Sequence, residues 1–237
     1  MTFTWFCFFR HGDPNRRLSE ADYRRLNETL RGCTLLRKAY VHTPSAEPHP
    51  YAGENNPPML ALELEFATLS ACESSLCDNA ELLKVLDPKS LESLAGADAT
   101  QQGMLGRTFP VAGPDGGTGS NNFSYLVEYP GPAEDSQAWL LHYVTSHTAI
   151  MGNLPGIRIV AVYTPSVLVS RFPFRVATAM LRNKVVFDSA QALGEALSSP
   201  IRDELRADVG AFPPYSGGSS HDPMDTIIVP GASDGGR

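Results

Sequence analysis

The chain has 237 residues, of which 42% are hydrophobic and 19% are charged, and its formal net charge is −7. This composition is typical of a folded protein with a sizeable core, and the length suggests about two domains. The acidic balance argues against binding to nucleic acid or to an acidic membrane surface. No stretch approaches the ~20 apolar residues that a membrane helix requires, so we expect neither nucleic acid nor membrane as a partner.

The apolar beginning of the chain, "MTFTWFCFFRHGD", lacks a basic segment and a small-residue cleavage site. It therefore predicts a first strand and not a signal peptide. The four cysteines show no C-x-x-C pair and no spacing typical of metal ligands. They are typical of reduced thiols, so we predict a cytoplasmic protein.

The first part of the chain predicts three strands, "FTWFCFFR", "TLLRKAYVHT" and "MLALELEF". A helix is predicted from Ser19 through "EADYRRLNETL", and another around "TLSACESSL". In "MLALELEF" the leucines and Phe66 share one face, and Ala61, Glu63 and Glu65 share the other, which either meets solvent or lines a polar cavity. Residues 78–109 are predicted to add short helices and a fourth strand, "GMLGRTFPV".

The second part of the chain predicts the same order of elements. A strand, "NNFSYLVEY", precedes a helix that begins at Asp135 or Ser136. Strands "IRIVAVYT" and "AMLRNKVVF" follow, and Asp188 is predicted to cap the helix "SAQALGEAL". "SPIRDELRADV" is predicted to be further helix, and "GAFPPYSGG" to hold the closing strand, although its prolines weaken that prediction.

These similar orders reflect an internal repeat. "VHTPS" at 41–45 returns as "VYTPS" at 162–166, so Thr43 and Thr164 are 121 positions apart. The same offset relates Phe66 to Phe187 and other pairs. We therefore predict a first repeat at 1–110, a linker at 111–121, a second repeat at 122–216, and a tail at 217–237 that is disordered or forms a lid.

The predicted order, β-α-β-β-α-β, is that of a ferredoxin-like unit. One such sheet leaves a face uncovered, which is costly when that face is apolar. We therefore predict an α+β fold in which the sheets of the two repeats pack into one intramolecular barrel, with a cavity between them. Such a chain should stay folded on dilution. It could also form a homodimer through its outer surfaces, and the sequence does not decide this.

The segment "AWLLHYVTSHTAIMGNLPGIRIVAVYTP" resembles the EthD family of dimeric α+β-barrel proteins. The matching pattern is an aromatic residue and a histidine on a helix, followed by Leu-Pro-Gly-hydrophobic-Arg before a strand. The resemblance covers about residues 121–200 and is weaker over 1–80. It implies a barrel that holds a small molecule, but the related proteins include monooxygenases, isomerases, decarboxylases and haem enzymes, so it does not specify a reaction.

His147 is the first candidate catalytic residue. The resemblance places it where the family usually has a histidine, and its helix position puts it on one face with Trp139 and Tyr143. It could transfer protons near neutral pH, or it could be a hydrogen-bonded core residue. His142, five residues earlier, is expected to point well away from it at about 100° per residue.

Two aromatic residues beside His147 are candidate substrate contacts, since Tyr143 and Trp139 share its face. Tyr23 holds the matching place on the first helix. Each of the three could contact a substrate or simply pack in the core. Arg158 could hold a substrate carboxylate or form an ordinary salt bridge.

Three further candidates, from two other segments, lie outside that helix. His11 and Asp13 follow the first strand and could form an acid/base pair, although Asp-Pro is also an ordinary turn start. His221 belongs to "SSHDPM" in the predicted tail, which could fold over the barrel as a lid.

No histidine, cysteine or glycine pattern indicates a metal, nucleotide or other cofactor, so we predict none. The first hypothesis is a cofactor-independent lyase, decarboxylase or isomerase of catabolism, with His147 as acid/base and an aromatic or polyketide-like substrate between the sheets. The alternative is a non-catalytic barrel that binds a hydrophobic ligand or serves a degradation pathway as an accessory protein. Ionisable groups aimed into one cavity would favour the enzyme.

Overall fold

The computed structural model describes residues 1–45, 57–113 and 121–231. The strands of the first unit are β1 Thr2–Arg10, β2 Leu36–Pro44, β3 Leu60–Phe66 and β4 Asp98–Phe109. Its helices are α1 Glu20–Arg31, α2 Leu69–Asp78 and α3 Ala80–Val85, followed by a short 3-10 turn, Glu92–Leu94. The strands of the second unit are β5 Asn121–Tyr129, β6 Ile159–Pro165, the short β7 Arg175–Val176, β8 Leu181–Phe187 and β9 Ser220–Pro230. Its helices are α4 Ser136–His142, a π-helical segment Tyr143–His147, α5 Thr148–Met151, α6 Ala190–Leu197 and α7 Ile201–Gly210.

Eight of these strands form one closed antiparallel barrel. The first sheet has the order β4-β1-β3-β2 and the second β9-β5-β8-β6. They join where β2 pairs with β9 and where β4 pairs with β6. The predicted fold class is therefore confirmed: two β-α-β-β-α-β units pack their sheets into one barrel, with the helices outside.

Alternation along β3 shows how each sheet separates two environments. Leu60, Leu62, Leu64 and Phe66 face outward and join the hydrophobic core beneath α1 and α2. The opposite face, which was predicted either to meet solvent or to line a polar cavity, is the inner wall of the barrel. Glu63 on this face is fully buried, so the face is not solvated.

The helices of the repeat begin close to the predicted residues. The hydroxyl of Ser19 accepts a hydrogen bond from the backbone of Asp22 and caps α1. Asp135 caps α4 in the same way. The predicted cap of α6 is wrong by one residue, since Ser189 caps it and Asp188 is instead bonded to Arg158.

The closing strand comes later than predicted. Residues 210–218 contain the end of α7 and a turn, while β9 is Ser220–Pro230, a segment predicted to be a disordered tail or a lid. That prediction was wrong because the polar, Gly/Ser-rich sequence around "SSHDPM" was interpreted as a tail and not as a strand. The pairing of β9 with β2 ends at Met224, so Pro223 pairs only with β5. A proline is tolerated in a strand where one side is unpaired. Residues 114–120 of the predicted linker and 232–237 of the predicted tail lie outside the described residues.

The loop between β6 and β8 crosses from the second unit to the first. The ring of Phe172 stacks on Trp5 with 5.1 Å between centroids, and Phe174 meets Phe9 edge to face at 5.5 Å. The side-chain amide of Gln101 donates to the carbonyls of both Phe172 and Phe174, at 3.0 and 3.1 Å. The second unit therefore completes the hydrophobic core of the first.

We predict that Phe172→Ala lowers the free energy of unfolding by about 3–5 kcal/mol, because it removes a buried ring. Urea denaturation followed by the fluorescence of Trp5 or Trp139, each isolated by changing the other to Phe, should show one shared transition. Val167→Ala is the control, since Val167 is 91% exposed, and it should change stability by less than about 0.5 kcal/mol. A shift seen by Trp5 but not by Trp139 would show that the units unfold independently.

Candidate functional site

The centre of the barrel holds a buried ion pair. Glu63 of β3 and Lys184 of β8 point inward, and the lysine Nζ lies 2.7 Å from Oε2 of the glutamate. Their side chains are 0% and 1% exposed. The two positions are 121 residues apart, which is the offset of the sequence repeat. They therefore occupy equivalent places in the two units.

Three more polar side chains surround the ion pair. Tyr163 donates its hydroxyl to Oε1 of Glu63, and Nε2 of His42 lies 3.7 Å from Oε2. The Nζ of Lys184 lies 3.0 Å from the centre of the Tyr40 ring. Burial by itself raises the pKa of Glu63, but Lys184 and His42 outweigh it and hold that pKa well below its usual range. Glu63 is therefore a stable carboxylate.

Little space remains inside the barrel. Aromatic and apolar side chains fill it around the ion pair: Phe6, Phe8, Ala61, Met104, Leu126, Ala161, Tyr163 and Met224. The space next to Lys184 measures about 10 Å³. One mouth keeps a depression of about 220 Å³ beside Tyr40 and Glu65. The predicted substrate cavity between the sheets is therefore wrong for the middle of the barrel, because side chains occupy it.

We predict that Lys184→Met lowers the free energy of unfolding by about 3–5 kcal/mol, because it leaves the buried carboxylate of Glu63 unpaired. Adding Glu63→Gln to the same chain removes that charge and should restore much of the loss. Urea denaturation of the wild type, both single variants and the double variant gives the coupling between the two residues. A double variant no more stable than Lys184→Met would contradict the prediction.

A larger cavity, of about 340 Å³, lies on the opposite, outer side of the second sheet. The sheet contributes Tyr125, Val127, Tyr129, Asn183 and Val185. The covering segments contribute His147, Met151, Leu154, Leu197 and one face of α7, formed by Arg202, Leu205, Arg206 and Val209. Tyr215, Ser219 and His221 complete the wall.

His147 reaches this cavity from the helix layer. Its Nδ1 lies 2.8 Å from Oδ2 of Asp208 on α7, and its ring packs 4.9 Å from Tyr143 and 5.1 Å from Phe212. The predicted position of His147 between the two sheets is therefore wrong. The helix face that it shares with Trp139 and Tyr143 packs on the outer face of the sheet, and the inner face belongs to the barrel interior.

The helix changes its winding at this point. Tyr143–His147 is π-helical, and a π turn closes between residues five apart. His142 and His147 therefore lie about one turn apart, and the prediction that they diverge was wrong because it assumed 100° per residue. Nε2 of His142 lies 2.9 Å from Oδ1 of Asp208, so both rings bind one carboxylate. Single π turns within α-helices frequently occur at functional sites.

The carboxylate of Asp208 sets the protonation of His147. Burial lowers the pKa of His147, and the hydrogen bond with Asp208 opposes that effect. Burial by itself raises the pKa of Asp208, but hydrogen bonds from Ser146, His147 and His142 outweigh it and lower the pKa. A neutral His147 that donates from Nδ1 to this carboxylate keeps a lone pair on Nε2. This tautomer follows from the hydrogen bond.

We predict that the pKa of His147, followed by its imidazole proton resonances in NMR, lies below the ~6.5 of an ordinary histidine. Asp208→Asn should lower it further, because the carboxylate raises that pKa. Asp203→Asn on the same helix is the control, since Asp203 is exposed, and it should leave the titration unchanged. Because the folded pKa is depressed, the stability that neutral His147 contributes is present above about pH 6.5 and lost as pH falls through the folded pKa. An upward shift in Asp208→Asn would contradict the prediction.

Two more polar side chains stand in the cavity wall. His221 of β9 stacks on Tyr125 with 5.3 Å between ring centres, and burial lowers its pKa. Asn183 is 4% exposed, and its Nδ2 lies 3.1 Å from the sulfur of Met151. Within the described part of the chain, no group donates a well-formed hydrogen bond to Oδ1 of Asn183. A buried amide oxygen in this state is stabilised when a donor reaches it.

The structure brings some of the predicted site residues together. His147 and His221 line the same cavity, and Trp139 and Tyr143 are buried beside it, in the core cluster of the second unit. Tyr23 lies on α1 and packs against the core of the first unit. It is therefore not part of this cavity.

The other predicted site residues lie elsewhere. Arg158 donates to both carboxylate oxygens of Asp188. Of its two predicted roles, the structure therefore contains the salt bridge. The backbone N–H of Asp13 donates to Nδ1 of His11 at 3.0 Å, and the carboxylate of Asp13 accepts from the backbone of Asn15 at 2.9 Å. The predicted acid/base pair is therefore not formed, because Asp13 stabilises a turn.

Sequence reasoning missed Asp208, Asn183 and the two arginines of α7. The spacing of Arg202, Leu205, Arg206 and Val209 follows one helical face and could have marked α7 as the wall of a site. Asp208 gives no local signal, because its partner His147 is 61 residues away. Among the residues that the structure describes, no group of three or more acidic, histidine or cysteine side chains could hold a metal ion. In the same ranges, none of the helices combines the length and apolar character needed to cross a bilayer.

No protein-family model matches the chain, and no curated protein has a matching sequence. Solved structures do resemble it. An anthrone oxidase-like protein superposes with a TM-score of 0.60 at 13% identity, over 99% of this chain and 94% of that one. A candidate monooxygenase from Fusobacterium nucleatum gives 0.60 at 10% identity, over 97% and 94%. A variant of chlorite dismutase from Candidatus Nitrospira defluvii gives 0.52 at 10% identity, over 94% and 90%.

At these identities the likeness shows the dimeric α+β-barrel fold alone. The three proteins carry different names, which agrees with the general rule that a fold does not determine a reaction. The function of this chain must therefore be argued from its own cavity.

Proposed function

We propose that the protein is a cofactor-independent enzyme that binds an aromatic or polyketide-like molecule in the cavity beside His147. In this proposal His147 is the acid/base, and Asp208 is a positioning residue that holds its ring. The reaction is proton transfer at a carbon whose carbanion is delocalised into a carbonyl group, as an isomerase, lyase or decarboxylase requires. The observation that carries the proposal is the bond between Nδ1 of His147 and Asp208 at 2.8 Å at the edge of a 340 Å³ cavity.

The chemistry follows from the state of the ring. Nε2 of a neutral His147 can take a proton from an acidic C–H group, which leaves a carbanion delocalised into the carbonyl and the aromatic system. The resulting imidazolium is stabilised by Asp208, and it can return the proton to the same carbon or to another one. A histidine with a pKa below its usual value is already deprotonated at neutral pH, so it is ready to act as a base.

The lining of the cavity supports an aromatic substrate. The rings of Tyr125, Tyr129 and Tyr215 line it together with apolar side chains. A volume of about 340 Å³ lies in the usual range for small-molecule pockets and can hold two or three fused rings. The neutral Oδ1 of Asn183 could accept a hydrogen bond from a hydroxyl group of the substrate. The segment "SHTAIMGNLPGIR" further supports placing the chain near the EthD-like branch of this fold.

The mainly apolar lining also favours a second function, a non-catalytic barrel that stores or carries a hydrophobic ligand. The two functions differ in one respect. The binder needs the shape of the cavity, whereas the enzyme also needs the proton-accepting nitrogen of His147.

Anthrone is a suitable probe for the test, because its methylene lies opposite the ketone in the central ring and is acidic: the carbanion is delocalised through the fused aromatic rings into the carbonyl. We predict that the protein in D₂O accelerates deuterium incorporation at that methylene, measured by NMR or mass spectrometry. His147→Gln should slow the exchange by about 10²–10⁴-fold. His142→Gln is the matched control, since His142 binds the same carboxylate without lining the cavity, and it should keep the rate within a few-fold.

Thermal melting of both variants separates a chemical role of His147 from a structural one. A His147→Gln variant that melts early yet exchanges at the wild-type rate when cold would contradict the proposed role. Binding of anthrone without any exchange would support the ligand-binding alternative. Absence of both binding and exchange would count against aromatic ketones as the substrate class.

A further inference from the structure

The second sheet presents a histidine of its own to the cavity beside His147. Side chains alternate along β9, so Asp222 points into the barrel interior and His221 points to the outer side, where it lines the cavity. Arg10 lies 3.7 Å from the carboxylate of Asp222, and His221 pairs with Val127 of β5. The backbone that carries His221 is therefore held by strand pairing and by the inward contact of its neighbour.

The ring of His221 has a fixed orientation, but the protein does not use its nitrogen atoms. The ring stacks on Tyr125 with 5.3 Å between ring centres and 26° between the ring planes. Among the described residues, no group makes a hydrogen bond to either nitrogen of this ring. Neither nitrogen is fully enclosed by protein. A ligand in the cavity can therefore reach them.

The neutral state of the ring determines what it can offer to a ligand. Burial lowers the pKa of His221, so the imidazole is uncharged at neutral pH. A neutral imidazole has one N–H donor and one accepting nitrogen. Since no hydrogen bond within the described part of the chain fixes the tautomer, the ring can adopt the one that donates to a ligand oxygen. A neutral histidine in this state can polarise a carbonyl group.

The two histidines approach the cavity from opposite walls. His147 comes from the helix layer, and His221 comes from the sheet beneath that layer. In an aromatic ketone such as anthrone, the carbon that loses a proton and the oxygen that gains negative charge lie at opposite sides of the central ring. One protein group must therefore meet the carbon while a different group meets the oxygen.

We propose that His221 is a second catalytic residue, which donates a hydrogen bond to the carbonyl oxygen of the substrate while His147 takes the proton from carbon. The C–H bond breaks, its proton goes to Nε2 of His147, and its electron pair is delocalised onto the carbonyl oxygen. The N–H bond of His221 stays intact and stabilises that negative charge. This inference rests on the proposed function for the reaction, but not for the binding of the ketone oxygen.

The test uses 9-fluorenone, an aromatic ketone that has no acidic C–H group. Its carbonyl carbon is labelled with ¹³C, so that infrared spectroscopy reports the carbonyl stretch of the molecule bound to the full chain. We expect this band at a lower wavenumber than in cyclohexane, because a hydrogen bond to the oxygen weakens the C=O bond.

Two variants of His221 separate its donor from its ring. His221→Phe keeps an aromatic ring against Tyr125, so the band should return toward its cyclohexane position while the affinity falls by no more than about tenfold. His221→Gln keeps an N–H donor and should keep part of the band shift. In D₂O, His221→Phe should slow the exchange of anthrone by about 10²–10³-fold, and His221→Gln should slow it less.

Two further variants address the alternatives. His147→Gln should slow the exchange of anthrone but leave the fluorenone band shifted, because only His221 meets the oxygen. Tyr215 also lines the cavity and is the rival donor, so Tyr215→Phe should leave the band in place. Thermal melting of all four variants identifies any change that comes from loss of the fold.

An unshifted band in the unaltered protein, or a shift that persists in His221→Phe, would overturn the inference. The same holds if the shift disappears in Tyr215→Phe and remains in His221→Phe. The proposed function would still stand in these cases if the exchange of anthrone depended on His147. Failure of 9-fluorenone to bind would count against the inference and against an aromatic ketone in this cavity.

Discussion

The ion pair between Glu63 and Lys184 is the constraint on which the barrel depends. Each sheet has helices on one side only, so its inner face must be buried by the other sheet. The two charged residues occupy equivalent positions of the repeat. In a barrel built from two identical chains those positions would carry the same residue, and two like charges would meet in the core. Joining the repeats in one chain lets one position become acidic and the other basic.

This filled interior shifts the candidate site to the helix layer. Phe6, Phe8, Met104 and their neighbours occupy the space between the sheets. The cavity beside His147 instead forms where the helices of the second unit stand away from the outer face of its sheet. There the π-helical segment turns two histidines toward one carboxylate of α7. A small change in winding thus connects two elements that are distant in sequence.

The strands and helices of the repeat could be predicted because their signals are local: alternation in "LALELEF", the cap at Ser19, and the aligned face of Trp139, Tyr143 and His147. The site could be predicted only in part. A π turn leaves the apolar spacing nearly unchanged, so it cannot be seen in a periodic pattern, and Asp208 finds its partners through the packing of separate helices. β9 was missed because its place depends on the open edges of β2 and β5.

The two units also differ in the helix that follows their second crossover. In the first unit, α3 buries Leu82 and Val85 in the core. The corresponding α7 of the second unit buries no residue and leaves room beneath it. The two repeats therefore differ: the helix of the first closes over its core, and the helix of the second leaves the cavity beside His147. Every residue that lines this space belongs to the second unit, so a bound ligand would stabilise that unit directly and the first unit only through the barrel that they share.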